Sequence, residues 1–381
     1  GKVTISDIKD FNINDLLDRD QVKPNMVLLN KNIKNKITLV TGAGGSIGSE
    51  LCRQIIKLKP KKLILLESNE FALYKIYEEL KKNKKIIPLL VNVLNQKKIE
   101  LIFNTFNVDT VYHSAAYKHV PLVEENICSG IENNVFGTLS IVKAAIKKKV
   151  KNFVLISSDK AVRPTNIMGA TKRLAELCVQ GLYNKIGNSS FNFSIVRFGN
   201  VIETSGSVIP KFKKQIIQDG VVTLTHKNIT RYFMTITEAA QLVIQAGAMG
   251  KKSEVFVLDM GKSIKILDLI KKMIYLSGLK LKDRNHPSGD IAIKIIGLRS
   301  GEKLYEELLI GDNPESTIHP KIKKINDPFI NFDELRKGLK KLQKFINTHD
   351  AYKSKKLLGN LIKSYKSNSK IVDHIYKQNL F

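Results

Sequence analysis

Three side chains that can exchange or share a proton stand together in the middle of the sequence, at Ser158, Asp159 and Lys160. They follow an apolar stretch directly, and a carboxyl group beside an amine can supply a general acid and a general base. A second segment, Met168 to Lys172, opens a predicted helix shortly afterwards and brings another amine. The thioether of Met168 cannot carry a proton. The two segments therefore predict acid–base chemistry, although an exposed ion-pairing turn would have the same sequence.

A glycine-rich turn, TGAGGSIG at 41–48, stands between a predicted strand and a predicted helix. Its first glycine permits a tight turn, its third lets a pyrophosphate approach the backbone, and its last allows close packing of the helix. The free N–H groups at the start of the helix favour phosphate groups. The residues expected to hold a dinucleotide here are Gly42, Gly45, Ser46, Ile47 and Gly48.

A carboxylate at the end of the second predicted strand bears on the choice of dinucleotide. Glu67 follows the last glycine by about 20 residues, where a carboxylate accepts hydrogen bonds from a ribose diol and repels a 2′-phosphate. This position favours NAD over NADP, and the alternative is a solvated glutamate at a strand end. Further expected cofactor contacts are Asn92 and Val93 after the third strand, Ala115 and Ala116 after the fourth, and Asn134.

Apolar strands alternate with amphipathic helices over the first half of the chain, and these elements must carry the groups above. The predicted strands are 36–41, 62–66, 86–91, 110–113, 152–157 and 192–198, and the predicted helices are 49–58, 70–82, 96–106, 134–148 and 171–186. The alternation predicts an α/β fold with a Rossmann-type doubly wound parallel sheet, whose strands end at a ligand crevice. Beyond Gly199 the alternation loosens, which indicates a smaller C-terminal substrate-binding lobe.

Four parts are expected along the chain. They are a lead-in arm at 1–35, an NAD-binding Rossmann domain with the catalytic residues at 36–200, mainly a substrate-binding lobe at 201–326, and a basic helical segment at 327–381. With 381 residues, of which 43% are hydrophobic, the chain is long enough to bury a core for one large domain and a smaller lobe.

Composition argues against several other classes of protein. The net charge of +28 comes mostly from scattered lysines in a chain without base-reading motifs, so no specific nucleic-acid partner is expected. Cys52, Cys128 and Cys178 are odd in number and far apart, which argues against a disulfide or zinc set and favours the cytoplasm. No metal is expected. No apolar run reaches the roughly 18 to 20 residues that a membrane-spanning helix needs.

Long matching segments make this chain similar to the extended short-chain dehydrogenase/reductases. Within them it resembles the membrane-anchored UDP-N-acetylglucosamine 4,6-dehydratases of bacterial glycan and capsule synthesis. Short-chain enzymes usually carry Tyr-x-x-x-Lys at the helix that Met168 opens, and methionine at the tyrosine position resembles this long branch. The matching segments are 41–50, 113–123, 133–138, 157–172, 197–201, 230–237 and 298–309.

The resemblance implies a reaction in which bound NAD takes a hydride from C4 of the sugar, water leaves across C5 and C6, and the hydride returns to C6. The product is a 4-keto-6-deoxy sugar, and the cofactor is regenerated. By the same resemblance Lys160 is the base, Asp159 protonates the departing 6-hydroxyl, and Ser158 bonds the 4-hydroxyl. Lys172 would hold the nicotinamide ribose and lower neighbouring pKa values. Whether Lys160 also deprotonates the 4-hydroxyl stays open, because that requires a neutral, desolvated lysine.

The expected substrate is UDP-N-acetylglucosamine. Two segments, 197–201 and 299–303, suit a nucleotide diphosphate and its ribose. Each begins with an arginine, Arg197 or Arg299, and an arginine can make paired charge-assisted bonds to phosphate. The expected substrate contacts are Lys118, His119, Asn200, Arg231, Arg299 and Glu302.

Relatives of this kind carry membrane helices ahead of the enzyme, so the chain is expected to be the cytoplasmic catalytic part of a protein of the bacterial inner membrane. The segment 8–19 resembles the stretch that usually follows those helices, and a homo-oligomer is expected. Two alternatives are a UDP-sugar 4-epimerase and a non-catalytic NAD-sensing protein. Met168 and the adjacent Asp159 and Lys160 argue against the epimerase, and the full set of proton-handling groups argues against the sensor.

Overall fold

The computed structural model describes residues 22–187, 191–202, 204–309, 314–367 and 369–378. The strands are β1 (Ile37–Thr41), β2 (Lys62–Glu67), β3 (Ile86–Leu90), β4 (Thr110–His113), β5 (Asn152–Ile156), β6 (Asn192–Arg197), β7 (Asn200–Val201), β8 (Val221–Leu224), β9 (Thr230–Arg231), β10 (Phe233–Met234), β11 (Ser253–Leu258), β12 (Ile264–Lys265), β13 (Leu281–Lys282), β14 (Ile291–Ile295), β15 (Glu315–Ser316) and β16 (Ile322–Ile325). The helices are α1 (Met26–Lys31), α2 (Ser46–Lys57), α3 (Glu70–Leu80), α4 (Gln96–Thr105), α5 (Val120–Glu125), α6 (Ile127–Ile131), α7 (Gly137–Lys147), α8 (Ile167–Ile186), α9 (Val208–Gln218), α10 (Ile236–Met249), α11 (Ile266–Leu276), α12 (Phe332–Asn347), α13 (Ala351–Leu361) and α14 (His374–Gln378). A π-helical turn, Glu132–Phe136, precedes α7, and a 3-10 turn, Asp159–Ala161, follows β5.

The main sheet has the strand order β15-β16-β11-β6-β5-β4-β1-β2-β3. The seven neighbouring strands β11, β6, β5, β4, β1, β2 and β3 run parallel to one another. In contrast, β16 pairs antiparallel with β11, and β15 pairs antiparallel with β16. The order reverses between β1 and β4, and doubly wound sheets open a ligand crevice at that point, beyond the carboxyl ends of the strands. The predicted α/β fold with a Rossmann-type sheet is confirmed.

Helices cover both faces of the main sheet because its central strands are apolar on both sides. In β1, Leu39 belongs to the core that the sheet shares with α4, α7, α8 and α12. Its neighbour Val40 belongs to the opposite core, which the sheet shares with α1, α2 and α10. Successive side chains of a strand point to opposite faces, so one apolar run serves both layers.

A smaller lobe is built on three parallel strands in the order β13-β14-β8. Helices α9 and α11 pack on them, and the core of the lobe includes Phe212, Val222 and Ile270. The predicted stretch 201–326 is not confined to this lobe, since β11 and β16 belong to the main sheet. The chain therefore leaves the sheet to build the lobe and returns to it more than once.

Two helices begin earlier than the sequence predicts. Helix α8 begins at Ile167 because the side chain of Asn166 accepts a hydrogen bond from the N–H of Gly169 and caps the helix. Helix α2 begins at Ser46, after Gly45 at the N-cap position. As a result, the first turn of each helix contains residues of the candidate site.

The C-terminal part contains α12, α13 and α14, and α12 packs against α8. Cys52, Cys128 and Cys178 are buried and not disulfide-bonded. The predicted juxtamembrane segment 8–19 lies outside the described residues, as do the first 21 residues of the predicted arm. Within the ranges given above, no helix is both long and apolar enough to cross a membrane.

Candidate active site

The glycine turn between β1 and α2 is shaped by backbone contacts that leave little room for side chains. Gly42 has a φ of 63°, and a Cβ there would lie 2.8 Å from the backbone of Ala115. A Cβ at Gly48 would lie 2.0 Å from the carbonyl oxygen of Gly42. A Cβ at Gly45 would meet only that same oxygen among the described residues, at 3.2 Å. The turn therefore presents bare backbone and the start of α2 to the crevice, as a pyrophosphate site requires.

Glu67 ends β2 beside this turn and is bonded to it. One carboxylate oxygen accepts a hydrogen bond from the N–H of Gly44 at 3.0 Å. The other accepts from the N–H groups of Ser68 at 2.8 Å and Asn69 at 3.0 Å. A carboxylate oxygen can accept two hydrogen bonds, so the oxygen on Gly44 keeps an acceptor site for a ribose hydroxyl.

The end of β4 is tied to the glycine turn through Thr41, whose hydroxyl oxygen accepts from the N–H of Ala115 at 3.3 Å. His113 is buried between two threonines, with Nδ1 2.7 Å from Oγ1 of Thr41 and Nε2 3.0 Å from Oγ1 of Thr138. Burial, and then the charge of Lys172, lower the pKa of His113 to about 3. His113 is therefore a neutral core residue that joins β1, β4 and α7.

Asn134, Asn92 and Val93 are predicted cofactor contacts that do not line the cavity between the glycine turn and the turn after β5. Asn134 is buried, and its amide donates to the carbonyl of Tyr117 at 2.9 Å and to Oγ1 of Thr171 at 2.9 Å. These bonds hold the loop after β4 against α8. Asn92 is exposed and Val93 is buried, both beyond the end of β3. Their contacts with a cofactor stay predictions.

The turn after β5 places its acid and its amine in direct contact. Nζ of Lys160 donates to Oδ1 of Asp159 at 3.1 Å and to Oδ1 of Asn200 at 3.2 Å. The hydroxyl of Ser158 donates to the same Asp159 oxygen at 2.8 Å and accepts from the N–H of Lys160. Asp159 is 1% exposed, and its Oδ2 is buried with no hydrogen-bond partner in the part of the chain that the structure describes. The predicted trio is thus one hydrogen-bonded unit.

A second carboxylate approaches Lys160 from the loop after β14. Oε1 of Glu306 lies 3.6 Å from Nζ of Lys160 and 3.9 Å from Nε of Arg231. Burial acts to lower the pKa of Lys160, but the charges of Asp159 and Glu306 outweigh burial and raise it above its ordinary value. Lys160 is therefore an ammonium group in this arrangement. Glu306 is not among the site residues predicted from the sequence, where its only signal is its place in the matching segment 298–309.

Helix α8 brings Met168 and Lys172 to the same site, one helical turn apart. Nζ of Lys172 donates to the carbonyl of Ile156 at 2.6 Å. Burial lowers the pKa of Lys172 to about 8, against the opposing effect of Glu176. Met168 is buried and lines the cavity. Of these two side chains, only the lysine can carry a proton.

One cavity of about 810 Å³ joins the glycine turn to the turn after β5, within the size range of small-molecule sites. The predicted residues that line it are Gly42, Gly45, Ser46, Ile47, Gly48, Ala116, Lys118, His119, Ser158, Lys160, Met168, Lys172 and Asn200. The predicted residues outside the lining are Glu67, Asn92, Val93, Ala115, Asn134, Asp159, Arg231, Arg299 and Glu302. The structure therefore joins most of the cofactor and catalytic residues, and half of the substrate residues, in one space.

The other three expected substrate contacts, Arg231, Arg299 and Glu302, are linked by hydrogen bonds at the edge of the lobe. Arg231 donates to the carbonyl of Leu304 at 3.3 Å and to the carboxylate of Glu302 at 3.4 Å. Glu302 also accepts from the N–H of Arg299 at 3.1 Å, while Arg299 itself is exposed. These bonds shape the loop 299–306. The substrate contacts of all three residues stay predictions.

Arg197 is not available to bind phosphate, so that prediction is wrong. It is 1% exposed, and its guanidinium donates to both oxygens of Glu176, at 2.9 and 2.6 Å, and to Asp327 at 2.5 Å. Arg173 pairs with the same two carboxylates at 3.0 and 2.7 Å. Two arginines and two carboxylates therefore form a buried ion network, because each buried charge needs an opposite charge beside it.

A sheet with strands in the order 3-2-1-4-5-6 is combined here with a glycine turn at the crevice and a Ser-Asp-Lys turn beside a helix that carries Met168 and Lys172. This fold and site define a member of the extended short-chain dehydrogenase/reductases. In the described ranges, no three His, Cys, Asp or Glu side chains are placed to hold a metal ion. The family model for polysaccharide biosynthesis protein matches residues 38–327, and the chain belongs to this family.

Curated relatives bear names from polysaccharide biosynthesis and nucleotide-sugar chemistry. The capsular polysaccharide biosynthesis protein CapD of Staphylococcus aureus is 49% identical over 324 residues, which are 84% of this chain and 52% of CapD. The chain thus spans about half the length of that relative. UDP-N-acetylglucosamine 4,6-dehydratase (inverting) of Campylobacter jejuni is 29% identical over 74% of this chain and 80% of its own length. UDP-glucose 4-epimerase of Rickettsia canadensis is 32% identical over 73% of this chain and 79% of its own length.

Solved structures share the fold. Pen from Bacillus thuringiensis has a TM-score of 0.67 at 36% identity, over 73% of this chain and 85% of Pen. The dTDP-glucose 4,6-dehydratase DesIV from Streptomyces venezuelae, in a structure with NAD bound, has a TM-score of 0.62 at 20% identity, over 71% of this chain and 87% of DesIV. At that identity the similarity to DesIV shows the fold alone.

Proposed function

We propose that this chain catalyses the NAD-dependent 4,6-dehydration of UDP-N-acetylglucosamine to the UDP-4-keto-6-deoxy sugar, for bacterial glycan biosynthesis. The observation that carries the proposal is one cavity that the glycine turn and Lys160 both line, with Asp159 hydrogen-bonded to Lys160 just behind the lining and Met168 at the position where short-chain enzymes usually have tyrosine. The relatives support a nucleotide-sugar dehydratase or epimerase, and the Campylobacter dehydratase supports this substrate.

The residues around the glycine turn fit a dinucleotide. When bound, NAD supplies a hydride acceptor and donor for the sugar carbons. The bare backbone at Gly42 and Gly48 and the start of α2 would hold the pyrophosphate, and Glu67 would accept from the adenosine ribose. Lys172 would hold the nicotinamide ribose. A 2′-phosphate would be repelled by the carboxylate of Glu67, so NAD is preferred over NADP.

The hydrogen bond between Asp159 and Lys160 allows an elimination of water in which the two side chains supply and remove one proton each. At rest, Lys160 holds a proton and Asp159 is a carboxylate. Transfer of that proton along their 3.1 Å hydrogen bond produces a neutral amine and a carboxylic acid. The amine then takes the proton from C5 of the sugar, and the acid protonates the departing 6-hydroxyl, so that water leaves. After the elimination both side chains are back in the resting ion pair. The proton that C5 takes up when the hydride returns to C6 equals the one that the 4-hydroxyl loses on oxidation, so the whole reaction needs no net proton from solvent.

A UDP-sugar 4-epimerase is the second candidate, and the Rickettsia relative at 32% identity favours it. Epimerisation moves a hydride away from C4 and back, and it needs a proton acceptor for the 4-hydroxyl but no elimination. Met168 cannot be that acceptor. Elimination of water uses an acid and a base together, whereas epimerisation uses a single proton acceptor, so the adjacent Asp159 and Lys160 favour dehydration.

Product mass distinguishes the two candidates. The purified chain would be incubated with UDP-N-acetylglucosamine and NAD, and the nucleotide sugars separated and weighed by mass spectrometry. Dehydration predicts a product lighter by one water, whereas epimerisation predicts an isomer of unchanged mass. A parallel incubation with UDP-glucose tests whether the N-acetyl group is needed.

A further inference from the structure

The loop after β14 contributes a buried acid to which the proposed reaction assigns no role. The side chain of Glu306 is 3% exposed. Its Oε1 lies 3.6 Å from Nζ of Lys160, and its Oε2 is buried with no hydrogen-bond partner in the described part of the chain. A buried carboxylate is stable only when cations compensate it, and the cations beside Glu306 are Lys160 and Arg231.

The charges that face Lys160 come from three separate elements. Asp159 belongs to the turn that carries the lysine, Glu306 to the loop after β14, and Arg231 to β9. Lys160, Arg231 and the two carboxylates together balance in charge. Glu302 lies at Arg231, 3.4 Å from its guanidinium, and makes no ion pair with Lys160. Without Glu306, the lysine would keep one carboxylate partner and would face the repulsion of Arg231.

We propose that Glu306 is a positioning residue that holds the ammonium group of Lys160 between the turn after β5 and the loop after β14. The role of Glu306 in a reaction rests on the proposed function. Its contact with Lys160 is a feature of the structure and does not. When Lys160 takes a proton from the sugar, positive charge develops at Nζ, and Glu306 is placed to stabilise that charge. The same contact links the loop that carries Arg299 and Glu302 to the reacting groups.

The test is competitive labelling of Lys160 with acetic anhydride across a range of pH, with the extent of labelling read from the Lys160 peptide by mass spectrometry. Only the neutral amine reacts, so the labelling midpoint reports the protonation of Lys160 without substrate or turnover. In Glu306→Gln the midpoint should fall by about 1 pH unit or more, because an opposite charge at this distance shifts a pKa by that amount.

Two control variants remove neighbouring carboxylates that do not pair with Lys160. Glu307→Gln removes the partner of Arg163 at the surface, and Glu302→Gln removes a partner of Arg231. Both should keep the wild-type midpoint to within a few tenths of a pH unit. If Glu306→Gln does not fold, Glu306→Asp replaces it, because its shorter carboxylate lies farther from Lys160 and should still lower the labelling midpoint below that of the wild type.

An unchanged Lys160 midpoint in folded Glu306→Gln, or in Glu306→Asp where the glutamine variant does not fold, would overturn the inference whatever the reaction is. An equal fall in the Glu307→Gln variant would overturn it too, since the effect would then be one of net charge. Failure of the proposed function appears differently, as a product of unchanged mass while the labelling shift is still observed.

Discussion

Lys160 is the side chain on which the proposed chemistry depends, and every described polar contact of its amine favours the charged form. Asp159 and Glu306 supply negative charge, and Asn200 supplies an acceptor oxygen. A base must first lose its proton, and the hydrogen bond to Asp159 offers the shortest route. Met168 borders the same cavity but offers only packing.

Lys160→Ala is therefore expected to reduce product formation by at least about 100-fold, the usual contribution of a positioned acid or base. Bound cofactor should be retained, because the contacts of the glycine turn and of Glu67 do not involve Lys160. Met168→Ala should cause a much smaller loss, since it removes no proton carrier. Single-turnover product formation and extraction of the cofactor check both. A loss in Met168→Ala as deep as in Lys160→Ala would show that the chemistry is assigned to the wrong residues.

Glu67 decides between the two dinucleotides in this account. In Glu67→Ser the preference for NAD should weaken, because the carboxylate that accepts from the ribose and repels a 2′-phosphate is gone. The matched control is Glu70→Ser, an exposed carboxylate in the first turn of α3. The measurement is chromatography of the dinucleotide extracted from each purified variant. Wild-type protein that carries mainly NADP would refute the assignment of Glu67.

Among the elements, the segment after α13 supports the first turns of two helices near the cavity. It contacts α6 directly and α8 through Glu124. Asp373 is 1% exposed, and it accepts from the N–H of Ile127 at the start of α6, at 3.0 Å, and lies 3.2 Å from Nε2 of His349. Glu124 in α5 accepts from the N–H of Ile167 at the start of α8, at 2.7 Å, and from the C-terminal segment. The first turn of α8, which carries Met168, is therefore held partly by residues beyond the family-matched region.

Asp373→Ala should lower the free energy of unfolding by about 1–3 kcal/mol, because it leaves the buried N–H of Ile127 without its acceptor. The control is Asp333→Ala, which removes an exposed carboxylate paired with Lys185 and should change the free energy by no more than about 0.5 kcal/mol. Urea unfolding followed by circular dichroism measures both. Equal unfolding midpoints for the two variants would argue against a holding role for the C-terminal segment.

At the scale of the whole molecule, the buried network of Arg173, Glu176, Arg197 and Asp327 joins β6, α8 and the stretch that leads to α12. Burial acts to raise the pKa of Glu176, but the two arginines outweigh burial and lower it to about 2. A carboxyl group whose pKa is lower in the folded state than in the unfolded state stabilises the fold at pH values above its unfolded pKa. For Glu176 the unfolded pKa is 4.5. This stability is lost as the pH falls from 4.5 towards 2.

Glu176→Gln should therefore lower the stability at neutral pH by about 3–5 kcal/mol, because it leaves buried arginines with one carboxylate fewer. It should also remove the part of the acid dependence that lies between these two pKa values. Glu78→Gln, at a surface carboxylate paired with Lys81, is the control and should keep the wild-type pH dependence. Unfolding free energies measured from pH 7 downward test this. Parallel curves for the wild type and Glu176→Gln would contradict the role of the network.

The sheet and the glycine turn could be predicted from the sequence because their signals are local, in apolar periods and in the spacing of glycines over a few residues. The roles of Arg197 and Glu306 could not. Arg197 is paired with Glu176 and Asp327, which lie on other elements, and Glu306 reaches Lys160 only because the loop after β14 folds back on a turn far earlier in the chain. The expected homo-oligomer and inner-membrane location concern the larger assembly and stay predictions.

The elimination assigned to Lys160 and Asp159 can be followed by the mass and deuterium content of the product formed from UDP-N-acetylglucosamine in D₂O. Loss of one water together with uptake of solvent deuterium at C5 is the predicted result. The proton returned to C5 comes from Lys160, whose amine exchanges with solvent, and the proton released by the 4-hydroxyl on oxidation balances this loss. A 4-epimerase would leave the mass unchanged and place no deuterium at C5. An isomer without deuterium would therefore contradict the assignment of Lys160 and Asp159 to an elimination.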